Sequence, residues 1–171
     1  MKKRLFGLVL LAAMIMAGSG NYDTNAKIKA IYIYNFTKYI EWPKEYRETS
    51  FVIGVLGDSP LFTELDRMSS TKQVFGQPIE VKKFADANAL QKCHILYIPK
   101  GCSVPFSSVV AKVKPFSTLL VTDTEGMAQK GSAINFVVMQ NRQKFELNQA
   151  NAVKYNLKVS NSLEALAILV N

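Results

Sequence analysis

The sequence predicts an α/β protein, a three-layer sandwich with helices on both faces of a largely parallel central sheet and an antiparallel hairpin in the C-terminal part. Three observations predict this fold. Short apolar segments alternate with helical patterns as far as residue 122, which requires crossover connections between parallel strands. Residues 51–57 are apolar on both faces, as in a central parallel strand. Residues 133–139 and 142–147 alternate around Gln140-Asn141, which is the spacing of a tight hairpin.

The individual elements follow from caps, breakers and periodicity. Asp23 or Thr24 can cap a first helix that ends near Ile40, because Pro43 cannot continue it. Strands are predicted at residues 51–57, 79–84, 94–98, 118–122, 133–139 and 142–147. Further helices are predicted at residues 60–70, 86–91, 106–113, 149–155 and 162–169, the last capped by Asn161.

The amino terminus has the pattern of a secretory signal peptide. Lys2, Lys3 and Arg4 precede an apolar run at residues 5–17, and small residues follow it. The run is shorter than the roughly 20 residues that a membrane-spanning helix needs. We therefore expect residues 1–19 to be cleaved on export and residues 20–171 to form a single soluble domain in the periplasm. An uncleaved membrane anchor is the alternative.

The charge of the chain is basic but dispersed. The formal net charge is +8, and three of the positive charges lie in the predicted signal peptide. We find no basic run with interleaved aromatic residues of the kind that follows a phosphate backbone. Nucleic acid is therefore not an expected partner.

The motifs of common catalytic sites do not occur in the sequence. His94 is the only histidine, and the sequence lacks Gly-x-Ser-x-Gly, His-Glu-x-x-His and the phosphate-binding loop. Cys93 precedes His94, but adjacent strand residues point to opposite faces. We expect no catalytic residue, no metal site and no cofactor.

The two cysteines, Cys93 and Cys102, flank a predicted strand. Five extended residues separate the ends of a strand by roughly 17 Å, whereas a disulfide needs Cα atoms within about 7 Å. Unpaired thiols are therefore favoured, and a disulfide formed by a sharp reversal of the chain is the alternative.

Polar residues follow two predicted parallel strands. In open α/β sheets, ligands bind at the carboxyl ends of the strands, near the point where the strand order reverses. By that rule the candidates for a small-ligand crevice are Asp58, Ser59, Asp123 and Glu125. Helix capping by Asp58 or Ser59 and acid–base chemistry by two carboxylates are the competing interpretations.

The first helix is rich in aromatic residues. Ile33, Phe36 and Ile40 form one stripe at helical spacing, and Tyr32 and Tyr39 lie beside it. Such a wide apolar face either packs on the sheet or binds a partner protein. The candidates for a partner surface are Tyr32, Tyr39 and Trp42.

Several fragments, taken in order, match a known family. They are Tyr34-Asn35-Phe36-Thr-Lys-Tyr-Ile-Glu41-Trp42-Pro43, Ile53-Gly54-Val-Leu-Gly57-Asp58, Gly76-Gln-Pro78-Ile79, Cys93-His94-Ile-Leu-Tyr-Ile98, Gly131-Ser-Ala-Ile-Asn-Phe136, and Phe145-Glu-Leu-Asn148 followed by Leu157-Lys-Val-Ser160. From Ile28 to Leu169 the chain resembles the YfiR family of periplasmic regulators. It departs from the usual pattern at Gln77 and Asn156, and its cysteines do not reproduce the two-disulfide framework of some members.

The resemblance implies a regulatory binding protein and not an enzyme. Such a protein would bind the periplasmic part of a membrane-bound diguanylate cyclase or sensor kinase and hold it inactive. Its release, triggered by an envelope signal or a small ligand, would raise cyclic di-GMP and favour biofilm formation. The resemblance also implies a homodimer. A small-molecule-sensing periplasmic binding module without a cyclase partner is the alternative function.

Overall fold

A computed structural model of the chain describes residues 23–171, so the predicted signal peptide lies outside the described residues. The helices are α1 (Thr24–Phe36), α2 (Pro60–Ser69), α3 (Phe106–Val113), α4 (Met127–Lys130), α5 (Gln149–Lys154) and α6 (Asn161–Glu164). The strands are β1 (Ile40–Glu41), β2 (Phe51–Leu56), β3 (Gln73–Val74), β4 (Gln77–Phe84), β5 (Ile95–Ile98), β6 (Leu119–Thr122), β7 (Ile134–Met139), β8 (Arg142–Leu147), β9 (Lys158–Val159) and β10 (Ile168–Leu169).

The central sheet has the strand order β10-β8-β7-β6-β5-β2-β4-β3. Strands β4, β2, β5, β6 and β7 are mutually parallel, and β8 returns antiparallel to β7. The two edge strands differ, because β3 is antiparallel to β4 and β10 is parallel to β8. The predicted α/β class, with a largely parallel sheet and an antiparallel hairpin, is confirmed.

The centre of the sheet is tightly packed around β2. A side chain at Gly54 would place its Cβ 2.6 Å from the ring of Phe84 and 3.0 Å from a methyl group of Leu96. Glycine is therefore required by packing at this position, in the middle of a strand where it is otherwise unfavourable.

Helix α1 packs its buried face against the sheet. That face consists of Ala26, Ala30, Ile33 and Phe36. The ring of Phe36 lies edge-on to that of Phe145 on β8, with 5.0 Å between the ring centroids. The predicted stripe of Ile33, Phe36 and Ile40 is thus part of the core.

Three of the helix predictions are wrong, one of them entirely and two in where the helix ends. Helix α1 ends at Phe36 and not near Ile40, because the chain turns at Thr37 and Ile40–Glu41 pairs with β9. Residues 86–91 form turns, since the Asp86 carboxylate accepts the backbone N–H groups of Asn88 and Ala89.

The third error is at the carboxyl end. The predicted helix 162–169 covers only α6 (Asn161–Glu164), which Ser160 caps instead of Asn161. The chain then extends into β10, which pairs with the edge of β8. A vacant strand edge in the folded protein therefore overrides the helical periodicity of this segment.

The tight hairpin between β7 and β8 is confirmed. Gln140 and Asn141 both have positive φ values, 49° and 60°, as a two-residue turn of type I′ requires. A second turn of this kind, at Phe75-Gly76, joins β3 to β4.

Candidate functional site

The strand order reverses between β2 and β5. From β2 the chain passes to β4 on one side and then returns to β5 on the other. The carboxyl ends of β2, β5 and β6 therefore meet at one edge, where a crevice of about 260 Å³ opens. We call it the switch-point crevice; its lining includes Asp23, Lys29, Asp58, Ser59, Tyr97 and Asp123.

Asp123 is the central charged group of the switch-point crevice. Its Oδ2 accepts a hydrogen bond from the Tyr97 hydroxyl at 3.1 Å and forms an ion pair with the ammonium of Lys29 on α1. Tyr97 is almost fully buried, and burial, together with the nearby Asp123 carboxylate, raises the pKa of its hydroxyl. The phenol thus stays protonated and donates to the carboxylate at neutral pH.

The two residues that follow β2 have different roles. The Ser59 hydroxyl caps α2 by accepting the backbone N–H of Leu61 at 3.2 Å. Asp58 is exposed and pairs with Lys83, and the hydrogen bond from that ammonium lowers the pKa of the Asp58 carboxyl. Both residues line the crevice and remain accessible to a ligand.

The structure brings together three of the four crevice candidates. Asp58, Ser59 and Asp123 line the crevice, and Glu125 is exposed and does not line it. Sequence analysis missed Lys29 and Tyr97. Lys29 lies 94 positions from Asp123 and carries no local signal. Tyr97 is the penultimate residue of the parallel strand β5, and the same positional rule could have included it.

A second concave surface lies between α1, β8 and the segment after α6. We call this cavity of about 570 Å³ the aromatic groove; its lining includes Tyr32, Tyr39, Arg142, Lys144, Leu163 and Leu166. The Tyr32 hydroxyl donates to the Gln143 carbonyl at 3.1 Å, and its ring packs edge-on against Phe145. Leu166 is 65% exposed at this surface.

Trp42 does not belong to the aromatic groove. Its side chain is only 6% exposed and packs edge-on against Phe51, with 5.1 Å between the ring centroids. Its indole N–H donates to the His94 carbonyl at 3.1 Å. Trp42 is therefore a core residue, because the segment after β1 folds under the sheet and buries it.

His94 and Cys93 have structural roles. The His94 Nδ1 accepts the Val52 N–H at 3.0 Å, and its Nε2 lies 2.7 Å from the Tyr46 carbonyl. Burial lowers the pKa of His94 and raises the pKa of the Cys93 thiol to about 12. Cys93 and Cys102 are both free thiols.

Two features are absent from residues 23–171, the part of the chain that the structure describes. In this part of the chain no group of three or more His, Cys, Asp or Glu side chains is placed to hold a metal ion. Within the same residues, no helix combines the length and apolar character needed to cross a membrane.

The fold and the crevice define an open-sheet α/β protein with a polar crevice at its topological switch point. The chain belongs to the YfiR/HmsC-like family, whose family model matches residues 26–168. This match confirms the resemblance that the sequence fragments indicate. No curated protein matches the chain.

Proposed function

We propose that this chain is an exported regulator that binds the periplasmic part of a membrane-bound diguanylate cyclase or sensor kinase and holds it inactive. The observation that carries the proposal is membership of the YfiR/HmsC-like family over residues 26–168. In this proposal the protein acts by contact and not by turnover, as its family membership suggests; within the crevice, Asp123 and Asp58 pair with Lys29 and Lys83. Residues 1–19 direct its export.

The aromatic groove is the surface we assign to the partner. Tyrosine and arginine residues are enriched at interface positions that contribute most to binding, and the groove offers Tyr32, Tyr39 and Arg142. Leu166 adds an exposed apolar side chain at the same place. Arg142 and Lys144 favour an acidic segment on the partner.

The test is made in the native host. Deleting the gene is expected to raise cellular cyclic di-GMP, and the full-length chain supplied from a plasmid should restore the original level. A chain without residues 1–19 should accumulate in the cytoplasm and fail to restore it. Cyclic di-GMP that does not respond to deletion, together with no cross-link to a membrane cyclase or kinase, contradicts the proposal.

A second candidate function is the sensing of a small ligand in the switch-point crevice. The observation that favours it is the position of Asp58, Ser59 and Asp123 around a cavity at the reversal of strand order. A ligand at about 100 times its dissociation constant stabilises a protein by about 2.7 kcal/mol. A thermal-shift screen of periplasmic metabolites should therefore find a stabilising compound, whose effect Asp123→Asn should remove. A screen without any such compound argues against this function.

The family resemblance also suggests a homodimer. Sedimentation equilibrium of the purified protein distinguishes a dimer from a monomer. A mass that stays monomeric at the highest concentration tested contradicts the dimer.

A further inference from the structure

The turn between β3 and β4 presents an aromatic ring to solvent. Phe75 has a φ of 49°, and its side chain is 70% exposed. A bulky residue in the left-handed region is strained, and Asn-Gly is the preferred pair in such a turn. Packing within the described chain does not offset this strain, because most of the ring is in water.

The outward stripe of α1 extends the same surface. Lys27, Ile31 and Tyr34 follow one another at helical spacing on α1, and Ile31 is 51% exposed. Lys38 lies two residues beyond the end of the helix and is exposed. The Tyr34 hydroxyl donates to the Gln73 carbonyl at 3.3 Å, which joins the stripe to β3. The Lys38 ammonium lies 5.1 Å from the centre of the Tyr34 ring. We call this stripe, together with Lys72 and Phe75, the basic face.

Glu64 of α2 lines the same concave surface as Lys27 and Ile31 of the basic face. Helix α1 contains no acidic residue. On the adjacent helix α2, Glu64 is buried and paired with Arg67, and Asp66 points to a different side of the helix by its spacing from Glu64. The basic face thus carries exposed lysines together with the exposed apolar side chains of Ile31 and Phe75.

We propose that the basic face binds an anionic lipid bilayer, with Phe75 and Ile31 entering the headgroup region. Protein interfaces have contiguous apolar centres and are depleted in lysine. On the basic face the exposed apolar side chains of Ile31 and Phe75 occur together with lysines, whose long stems can extend toward anionic headgroups. The lysines thus fit a lipid surface better than a protein groove. This inference does not depend on the proposed partner.

The experiment measures cosedimentation with vesicles. The protein is used as recovered from its host, with its amino terminus determined by mass spectrometry, so that every variant has the same terminus. It should bind vesicles that contain phosphatidylglycerol and should not bind vesicles of phosphatidylcholine alone. Binding should fall steeply in 0.5 M salt, because surface electrostatics are screened.

The variants separate the basic face from the rest of the surface. Phe75→Asn suits the type I′ turn and should keep or raise thermal stability while weakening vesicle binding severalfold. Lys72→Gln should weaken it about fivefold, as expected for one lysine near an anionic surface. The matched controls are Val138→Asn, at the other hairpin and 69% exposed, and Lys114→Gln; both should bind as the wild type does.

Three outcomes overturn the proposal. Absence of binding to phosphatidylglycerol vesicles is the first. The second is an equal loss of vesicle binding in the control variants, because that result would show attraction by net charge alone. The third is a result in which Phe75→Asn loses affinity for a soluble partner domain while the protein does not bind vesicles. That result would assign the basic face to a protein partner. The first two outcomes do not depend on whether the protein regulates a cyclase.

Discussion

At the scale of single residues, His94 is held as a neutral imidazole. Its Nδ1 accepts a backbone N–H from β2, so the proton lies on Nε2 and is donated to the Tyr46 carbonyl. Phe51, Tyr46 and Trp42 surround the ring. A second proton on this ring would break the bond to Val52 and bury a charge.

This geometry predicts a loss of stability in mild acid. Burial lowers the pKa of His94 in the folded state, so below about pH 6.5 the unfolded chain binds a proton that the folded chain does not. The free energy of unfolding should therefore fall as the pH decreases from about 7.5 towards 5. Urea unfolding across this range measures it. His94→Gln should be less stable overall with a flatter pH profile, and an equally steep profile in that variant contradicts the assignment.

The buried cysteine should be chemically inert. Because burial raises the pKa of the Cys93 thiol to about 12, almost no thiolate forms at pH 8. We expect Cys93 to react with a thiol reagent only when the protein unfolds, and half-buried Cys102 to react first. Mass spectrometry of labelled Cys102→Ser isolates Cys93. Rapid labelling of that variant in the native state contradicts the prediction.

At the scale of elements, α1 is fixed to the sheet by the ion pair and hydrogen bond at Asp123. Lys29→Met should destabilise the protein by about 1–2 kcal/mol, since the pair is mostly buried, and Tyr97→Phe by about 1 kcal/mol. Because both groups act on the same carboxylate oxygen, the double variant should show a coupling of at least about 0.5 kcal/mol. Lys83→Met, at the exposed Asp58 pair, is the control and should have no measurable effect. If the losses of stability caused by Lys29→Met and Tyr97→Phe are strictly additive, the two groups do not act together on Asp123 and the prediction is contradicted.

Strand β2 has no free space for a side chain at Gly54. Gly54→Ala should destabilise the protein by about 1–3 kcal/mol, because the added Cβ contacts the Phe84 ring. Urea unfolding measures the change. The loss of stability caused by Gly54→Ala should be smaller when it is measured in a Phe84→Leu background than in the wild type. If Gly54→Ala leaves the free energy of unfolding unchanged, the core can relax at this position and the prediction is contradicted.

The sequence predicts the elements whose signals are local. The apolar run of β2, the alternation of β7 and β8 and their Gln140-Asn141 turn are specified by neighbouring residues, and the structure has them. Strands β9 and β10 exist only because β1 and β8 offer edges to them, so a helical pattern at residues 162–169 was misleading. Likewise the positional rule finds Asp58 and Asp123, but only the tertiary fold brings Lys29 beside them.

At the scale of the whole molecule, the protein presents three separate surfaces. The switch-point crevice lies at the carboxyl ends of the parallel strands, the aromatic groove lies between α1 and β8, and the basic face lies on the outer side of α1. A regulator that senses one molecule and binds another needs distinct surfaces whose occupancy can be coupled. Helix α1 contributes to all three surfaces, through Lys29, Tyr32 and Ile31 respectively.

The most direct test of regulation by contact is the inhibition of the partner by variants of the aromatic groove. The membrane cyclase recovered by cross-linking is reconstituted, and its synthesis of cyclic di-GMP is measured against added protein. Wild type and Val138→Asp should inhibit it equally. Leu166→Asp, which places a charge on a comparably exposed residue in the groove, should raise the concentration needed at least about tenfold while unfolding like the wild type. Equal inhibition by the two variants, or no inhibition by the wild type, would contradict the account.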